Sequence, residues 1–209
     1  MQNNYDQLLE ETKTKILSIV ELKPENQWTL DTNKDGYIIY TRNNPENGLK
    51  INRTETNAAV DPEEFINLVI DMTRKKEYDS NFLEGRLIEK LDQNTFIFYA
   101  RGKPPTFFID ARDFCLLSRV YKLGDDHFMT ITKSIEHPQV PAVKGVQRGE
   151  IVFSAWIVKK QPNGQTNIII IGNMNPKGDI PKAIINQGAK FQAEGVKKAV
   201  EYLTKNKKK

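Results

Sequence analysis

The chain has 209 residues, 38% of them hydrophobic and 28% charged, a balance that allows a buried core and excludes extended disorder. Lys and Arg number 31 against 27 Asp and Glu, which leaves a net charge of +4 at pH 7. Cys115 is the single cysteine, so an intramolecular disulfide and a zinc cluster built on CxxC pairs are excluded. The length, without a linker rich in Gly, Ser or Pro, predicts one domain over residues 1–209.

Both ends of the chain are polar. The stretch MQNNYDQLLEETKTK lacks the apolar segment of a signal peptide, and no run approaches the roughly 18 to 20 apolar residues of a membrane span. We therefore expect a cytoplasmic location. Residues 205–209 form a basic tail that we expect to be frayed, although such a tail can also contact anionic lipid at about 1 kcal/mol per basic residue.

Helical spacing predicts a first amphipathic helix over residues 5–22, with apolar positions at Tyr5, Leu8, Leu9, Ile16, Ile19 and Val20. After Pro24 come three short β-prone runs, WTL, YIIYT and LKINRTET, separated by the turn sequences DTNKDG and NNPENG. DTNKDG has the first ligand positions of a calcium loop, but Arg42 stands where that loop requires a bidentate glutamate. A hairpin turn is predicted there instead.

A second helix and a series of strands follow. The second helix is predicted in DPEEFINLVIDM, with Asp61 as its N-cap and Pro62 at its first helical position. Glu63 and Glu64 lie in its first turn, where the helix dipole favours anions. From Gly85 onward come six strand segments without an intervening helix: GRLIEKL, TFIFYAR, RDFCLLSRVYK, HFMTITKS, VQRGEIVFSAWIVKK and TNIIIIGNM. Nine strands and no crossover helix among the last six predict a long antiparallel sheet and an α+β fold.

The last predicted helix, which begins near Asp179 and Pro181, has gaps in its apolar face. Residues at spacings of three and four form that face: Ile184, Gly188, Phe191, Gly195, Ala199 and Tyr202. Glycines at packing positions indicate either close approach of the helix to the sheet or room left for a ligand. The sequence leaves both interpretations open.

No motif in the chain predicts catalysis. GxSxG, HExxH and phosphate-loop sequences are absent, and the two histidines, His127 and His137, do not stand at metal-ligand spacing. We therefore predict no catalytic residues, no metal, no cofactor and no enzymatic activity. Basic residues are scattered among acidic ones, which disfavours nucleic acid as a partner.

Several charged residues fall beside apolar segments. Arg112 and Asp113 enter a strand directly before an apolar run, and Lys75 and Asp79 follow the central helix. Burying a charge costs several kcal/mol unless it is paired. One interpretation is an ion pair between Arg112 and Asp113 at a strand end; the other is that these groups meet the polar end of an apolar ligand.

Five motifs together resemble the START domain, the lipid-transfer domain related to steroidogenic acute regulatory protein. They occur in the family's order and near its spacing over nearly the whole chain: Trp28 before KDGYIIYTR, then RKKEYDSNFLEGRLIEKLDQNTFIFYA, ARDFCLLSR, HPQVPAVKGVQRG followed by AWIV, and NPKGDIPKAIIN. The resemblance implies a helix-grip fold, in which a curved nine-stranded antiparallel sheet surrounds an apolar tunnel closed by the long C-terminal helix. Within this family, the sequence most resembles the phosphatidylcholine-transfer-like members.

The resemblance also implies a head-group site. In phosphatidylcholine carriers, a basic residue and an aspartate meet the phosphate. The resemblance places Lys75 and Asp79 at these positions, with Tyr78 in place of the family's tryptophan. Tyr99 and Phe114 match two aromatics that box the quaternary ammonium, whereas the third position falls near Val152. Sterol carriers place an acid and an arginine inside the tunnel. The positions that resemble these are Ala100 and Ser118 here, so the charged pair is missing. With Arg112, the predicted head-group residues are therefore Lys75, Asp79, Tyr78, Tyr99, Arg112 and Phe114.

The tunnel and its gate are predicted in the same way. The family's gate loop looks like residues 136–145, where Val140 and Val143 would dip into a bilayer surface, and it works together with the last helix. The residues expected to line or roof the tunnel are Val140, Val143, Val152, Trp156, Ile184, Ile185, Gly188 and Phe191.

These features predict a cytoplasmic, membrane-peripheral and monomeric lipid-transfer protein that holds one lipid and contacts membranes transiently. A phospholipid is favoured, while sterol, ceramide and fatty acid stay open. The alternative is an interaction module whose affinity for a partner protein changes with lipid occupancy.

Overall fold

The computed structural model describes residues 2–104, 106–185 and 187–206. Its helices are α1 (Gln2–Ile19), α2 (Pro62–Ile70), α3 (Lys182–Ile185) and α4 (Gly188–Asn206), with short 3-10 turns at Pro24–Asn26 and Lys75–Glu77. Its strands are β1 (Thr29–Lys34), β2 (Tyr37–Asn43), β3 (Lys50–Ala58), β4 (Phe82–Lys90), β5 (Thr95–Gly102), β6 (Ala111–Gly124), β7 (His127–Ser134), β8 (Val146–Arg148), β9 (Glu150–Lys160) and β10 (Thr166–Asn175).

One sheet contains all ten of these strands. Nine of them follow the order β1-β2-β3-β10-β9-β7-β6-β5-β4 with antiparallel pairing, so β1 and β4 are the edges. The predicted α+β fold and nine-stranded antiparallel path are confirmed. The tenth strand, β8, was predicted as part of β9 and instead pairs in parallel with the start of β6.

A glycine separates β8 from β9. The Gly149 amide donates to the Asp113 carbonyl at 3.0 Å, and a Cβ at this position would lie 2.5 Å from the Phe114 ring. Only a residue without a side chain fits so close to β6. Since β7 pairs with β6 only from Leu116 onward, the start of β6 is open to β8, and the chain changes partner at the glycine.

The helices cover opposite faces of the sheet. On one face, α1 packs Leu9, Ile16 and Val20 against a cluster that includes Cys115 and Leu117 of β6. On the other face, α2 packs against β7 and β9, and α4 packs against β2 and β3. Successive residues of a strand point to opposite faces, so alternate positions of β6 belong to different cores.

The central helix is built as its sequence predicts. The Asp61 side chain accepts a hydrogen bond from the Glu64 amide at 2.9 Å and caps the first turn. Phe65 is fully buried and meets Trp156 of β9 edge-on, with ring centroids 5.4 Å apart. This contact fixes α2 over the sheet.

The first and last helices differ in extent from the prediction. Helix α1 begins and ends three residues earlier than expected. The predicted closing helix is divided into α3 and α4 around residue 186, which lies outside the described residues. Of the predicted frayed tail, residues 205 and 206 continue α4, and residues 207–209 lie outside the described part of the chain.

The two halves of α4 have different surroundings. Val196, Ala199 and Leu203 are buried against α2 and the sheet, whereas Gly188 and Phe191 line a cavity. A Cβ at Gly195 would meet nothing within 4 Å, and one at Gly188 would make only an ordinary contact with Asn52. Close packing therefore does not account for the glycines.

Candidate ligand-binding cavity

A cavity of about 520 Å³ lies between the sheet, the end of α2 and the segment that runs from β10 into α4. Its apolar walls come from elements far apart in sequence: Val69, Ile70, Met72, Phe82, Phe114, Leu116, Ile151, Phe153, Trp156, Ile170, Ile180, Ile184, Ile185 and Phe191. A volume of this size lies within the usual range for small-molecule sites. The cavity can therefore hold an apolar ligand.

Charge in the cavity is one-sided. The basic residues that line it are Lys50, Lys75, Arg101, Lys103 and Arg112. Asp79 is the one carboxylate among the described lining residues, and it is already held by Lys198 of α4 at 3.2 Å. The polar part of the cavity consequently favours an anion.

Lys75 follows α2 in a 3-10 turn at the wall of the cavity. Its Nζ is 4.0 Å from Asp79 Oδ2, and the rings of Tyr78 and Phe82 lie 5.7 and 5.9 Å from the ammonium. Burial lowers the pKa of Lys75; Asp79 opposes this effect and Lys198 reinforces it. Lys75 is thus a partly desolvated cation, its side chain 27% exposed, whose one nearby carboxylate is held more closely by Lys198, which suits it to bind a ligand anion.

Arg112 does not pair with its neighbour Asp113 and instead donates hydrogen bonds to main-chain carbonyls. It donates from Nε to the Pro176 carbonyl at 3.3 Å, from Nη2 to Lys177 at 3.0 Å and from Nη1 to Asp110 at 2.5 Å. The bonds to Pro176 and Lys177 join β6 to the turn that leads into α3. Lys177 and Gly178 in this turn have φ values of 47° and 67°.

Asp113 lies on the other face of the sheet. It is 1% exposed and accepts hydrogen bonds from Arg148 Nε at 2.6 Å and Nη2 at 3.2 Å. An ion pair between Arg112 and Asp113 does not form, because neighbours on a strand point to opposite faces.

The predicted head-group aromatics are separated by the fold. Phe114 lines the cavity. Tyr99 is 3% exposed in the core beneath α1, and the Arg86 guanidinium lies 4.7 Å from its ring centre. Tyr78 packs beside Tyr202 of α4, with ring centres 6.0 Å apart, and burial raises its pKa. Neither tyrosine lines the cavity.

The predicted tunnel residues divide in the same way. Trp156, Ile184, Ile185, Gly188 and Phe191 line the cavity. Val140, Val143 and Val152 do not. Val140 is 4% exposed within the core beneath α1, and Val152 packs against the same core.

The loop over residues 136–145 is fastened away from the cavity. Arg148 Nη2 donates to the Pro141 carbonyl at 3.1 Å while the same guanidinium holds Asp113. A valine that fills the core cannot also dip into a bilayer. None of residues 136–145 lines the cavity, and of the two predicted gate valines Val140 is buried while Val143 is 39% exposed.

A different loop next to the cavity was missed by sequence reasoning. Phe107 and Phe108, between β5 and β6, are 96% and 91% exposed, and their rings meet edge-on at 5.4 Å. Lys103 at the start of this loop and Arg112 at its end line the cavity. The signal was present in KPPTFFID, where two aromatics follow two prolines outside any strand pattern.

Comparison with known proteins decides the family. The sequence model described as START domain matches residues 8–209. The chain belongs to the START-domain family. The resemblance found in the sequence is thereby confirmed, and the domain is one of a family that binds and transfers lipids.

Curated START relatives are distant in sequence. START domain-containing protein 10 of Mus musculus is 23% identical over 180 residues, which cover 83% of this chain and 60% of the relative. Steroidogenic acute regulatory protein, mitochondrial, of Oncorhynchus mykiss is 27% identical over 127 residues, which cover 59% of this chain and 44% of the relative. The match therefore spans less than two thirds of the length of these relatives.

Solved START structures share the fold. Human StAR-related lipid transfer protein 5 superimposes with a TM-score of 0.87 at 17% identity, over 98% of this chain and 99% of its own. Human STARD10 gives 0.81 at 20% identity, over 94% and 79%. At these identities the similarity establishes the helix-grip fold.

Two features are absent from the residues that the structure describes. No helix among them is long and apolar enough to cross a membrane. Within the same residues, no group of three or more His, Cys, Asp or Glu is placed to hold a metal ion.

Proposed function

We propose that this START domain binds one lipid that carries a phosphate and transfers it between membranes without chemical change. The observation that carries the proposal is an apolar cavity whose wall presents Lys75, while its carboxylate, Asp79, is engaged by Lys198. The protein would act as a monomer in the cytoplasm and contact membranes transiently.

The physical need for such a cavity follows from the cost of exposing lipid chains. Each buried methylene is worth about 0.8 kcal/mol, so a lipid with roughly thirty of them faces a barrier on the order of 20 kcal/mol to cross water exposed. A carrier that encloses the chains removes most of that barrier. Ile184, Ile185 and Phe191 would cover the lipid from the side of α3 and α4.

The polar end of the lipid would lie against Lys75. A phosphate oxygen there would form a charge-assisted hydrogen bond with the ammonium, in a place where little water competes. Phe114 would contact the head group, whereas Tyr78 lies beside Lys75 without lining the cavity and Tyr99 lies in the core beneath α1. Arg112 donates to the main-chain carbonyls of Pro176 and Lys177, so its contribution would be to hold the closing segment, residues 176–188, where it begins.

Membrane contact would be made by the loop after β5. Two adjacent phenylalanines that are almost fully exposed form an apolar tip, and such tips mark interaction sites when they lie beside polar residues. Insertion of the rings at the level of the acyl boundary would place Lys103 among lipid phosphates. The cavity would then meet the bilayer surface.

The proposal is tested by lipid capture. Purified protein is incubated with vesicles that contain phosphatidic acid, phosphatidylcholine, ceramide, sterol and fatty acid, and the bound lipid is identified by native mass spectrometry and extraction. We expect one phosphate-bearing lipid per chain. Lys75→Ala should lower its affinity by roughly tenfold to a hundredfold, the range expected for a hydrogen bond to a charged group.

Lys76→Ala is the matched control, because Lys76 is the exposed neighbour of Lys75 and does not line the cavity. It should bind like the wild type. Capture of ceramide, sterol or fatty acid in preference to both phospholipids would contradict the phosphate assignment. A protein that stays empty would contradict lipid transfer itself.

A second candidate is a lipid with a single chain, and the cavity volume favours it. At about 30 Å³ per water-sized group, 520 Å³ holds roughly 17 groups. That is enough for one acyl chain but not for two chains with a head group. A phospholipid with two chains needs more space than this cavity alone supplies.

A further inference from the structure

A second recess, of about 510 Å³, lies on the same face of the sheet beneath α2. Its interior is apolar and is formed by Ile66, Ile70, Phe96, Phe98, Val120 and Phe128. Its mouth is polar and includes Glu63, Asn67 and Asn94. No residue in the recess belongs to the predicted site.

Strand alternation shows that the recess and the cavity lie end to end. In β5, Phe96 and Phe98 line the recess, while Ala100 and Gly102 line the cavity. In β6, Val120 lines the recess and Leu116 the cavity, and β7 repeats the pattern. These residues occupy every second position, so they share one face of the sheet.

Side chains form the wall between the two spaces. Ile70, at the end of α2, lines both of them. Opposite it, Phe98 packs with Leu116 and Ala100 in one apolar cluster. Rotation of these side chains would connect the recess to the cavity without a change in the sheet.

We propose that the recess receives the second hydrocarbon chain of a two-chain lipid whose phosphate lies at Lys75. This inference rests on the proposed function and names the class of lipid. The recess approximately doubles the available volume, and this is the space that a second chain lacks in the cavity alone. Ile70 and Phe98 separate the two chains.

The chemistry of the recess favours a hydrocarbon chain over a second anionic ligand. Glu63 and Asp71 at its edge are acidic and would repel an anion, although Lys122 lies there too. The buried interior offers aliphatic and aromatic side chains, which gain from contact with methylene groups. Lys75, the cation that selects the head group, lies in the cavity. The cavity therefore holds the head group, and the recess holds a hydrocarbon chain.

The test compares two lipids that differ only in the number of chains. Dipalmitoyl phosphatidic acid and palmitoyl lysophosphatidic acid share a head group, and their affinities are measured below the concentration at which they aggregate. Val120→Phe fills the recess from the sheet, and Asn67→Trp closes it from an exposed position of α2. Neither residue lines the cavity.

We expect both variants to bind the two-chain lipid at least about tenfold more weakly, the loss that accompanies return of two buried methylenes to water. Their affinity for the one-chain lipid should be unchanged, which also shows that they are folded. Ile38→Phe is the control, since Ile38 is a half-buried strand residue that lines neither space.

Three outcomes would overturn the inference. If both variants bind the two-chain lipid as the wild type does, the second chain lies elsewhere. If they lose both lipids equally, the recess serves stability and not a chain. If the wild type binds neither lipid, the proposed function itself fails, and this result differs from the other two because no variant is needed to see it.

Discussion

The ammonium group of Lys75 lies within reach of one carboxylate, Asp79, and near the competing cation Lys198. Its lowered pKa means that the folded protein holds this proton less tightly than the unfolded chain does. The stability of the empty protein therefore falls as the pH drops below the ordinary lysine pKa of 10.5. A bound phosphate would favour the charged form and offset this loss.

The same pKa predicts how binding depends on pH. Affinity for phosphatidylglycerol, whose phosphate diester stays ionised, should decline as the pH rises towards the ordinary lysine pKa of 10.5, because burial lowers the pKa of Lys75 below that value. Lys75→Arg keeps its charge throughout and should show a nearly constant affinity. Equilibrium binding at a series of pH values checks this. An equal decline in both proteins would assign the titration to another group.

At the scale of elements, Arg112 joins three segments. It ties β6 to Asp110, at the end of the exposed Phe loop, and to Pro176 and Lys177, before α3. A hydrogen bond to a charged group contributes about 1.5 to 3 kcal/mol. Side-chain to main-chain bonds thus hold the closing segment at Pro176 and Lys177, where it begins. Core packing holds the C-terminal half of α4.

Loss of this contact should loosen the closing segment alone. In Arg112→Gln, amide hydrogen exchange over residues 176–188 should become roughly tenfold faster or more, because local opening no longer breaks the two bonds from the guanidinium to Pro176 and Lys177. Exchange in α1 and β10 should not change. Arg86→Gln, which alters an exposed arginine of β4, is the control. Unchanged exchange over 176–188 in Arg112→Gln would show that apolar contacts hold the segment.

At the scale of the whole molecule, the aromatic tip and the basic lining residues meet at one part of the surface. Phe107 and Phe108 project from the loop that begins at Lys103 and ends near Arg112. A net charge of +4 adds a weak general attraction to anionic membranes. Membrane contact and lipid exchange would therefore use the same part of the molecule.

Removal of the aromatic tip should separate membrane contact from lipid binding. The double variant Phe107→Ser and Phe108→Ser should bind anionic vesicles at least about a hundredfold more weakly, since burial of each Phe is worth about 1.5 to 3 kcal/mol. Its affinity for a lipid monomer should be unchanged. Vesicle sedimentation and transfer rates measure the effect. Leu30→Ser is the control, because Leu30 is 55% exposed on the opposite edge strand; an equal loss there would contradict a specific tip.

Local signals in the sequence predicted most elements of the fold. Asp61 caps α2 through a bond to a residue three positions away, and Asp35 and Gly36 turn β1 into β2 with φ values of 55° and 80°. Such contacts depend on neighbours in the chain, so a single sequence contains them. Five motifs in register were likewise sufficient to identify the START family.

The tertiary structure alone decided which side chains meet the cavity. Phe114 pairs with Ala100 and Tyr99 with Cys115, so two aromatics expected in one box lie on opposite faces of the sheet. Val140 is buried because Arg148 and Asp113, 35 residues apart, hold its loop against the core beneath α1. Alternation along a strand defines two faces, but only packing between distant segments determines which helix covers each face and where a cavity is left.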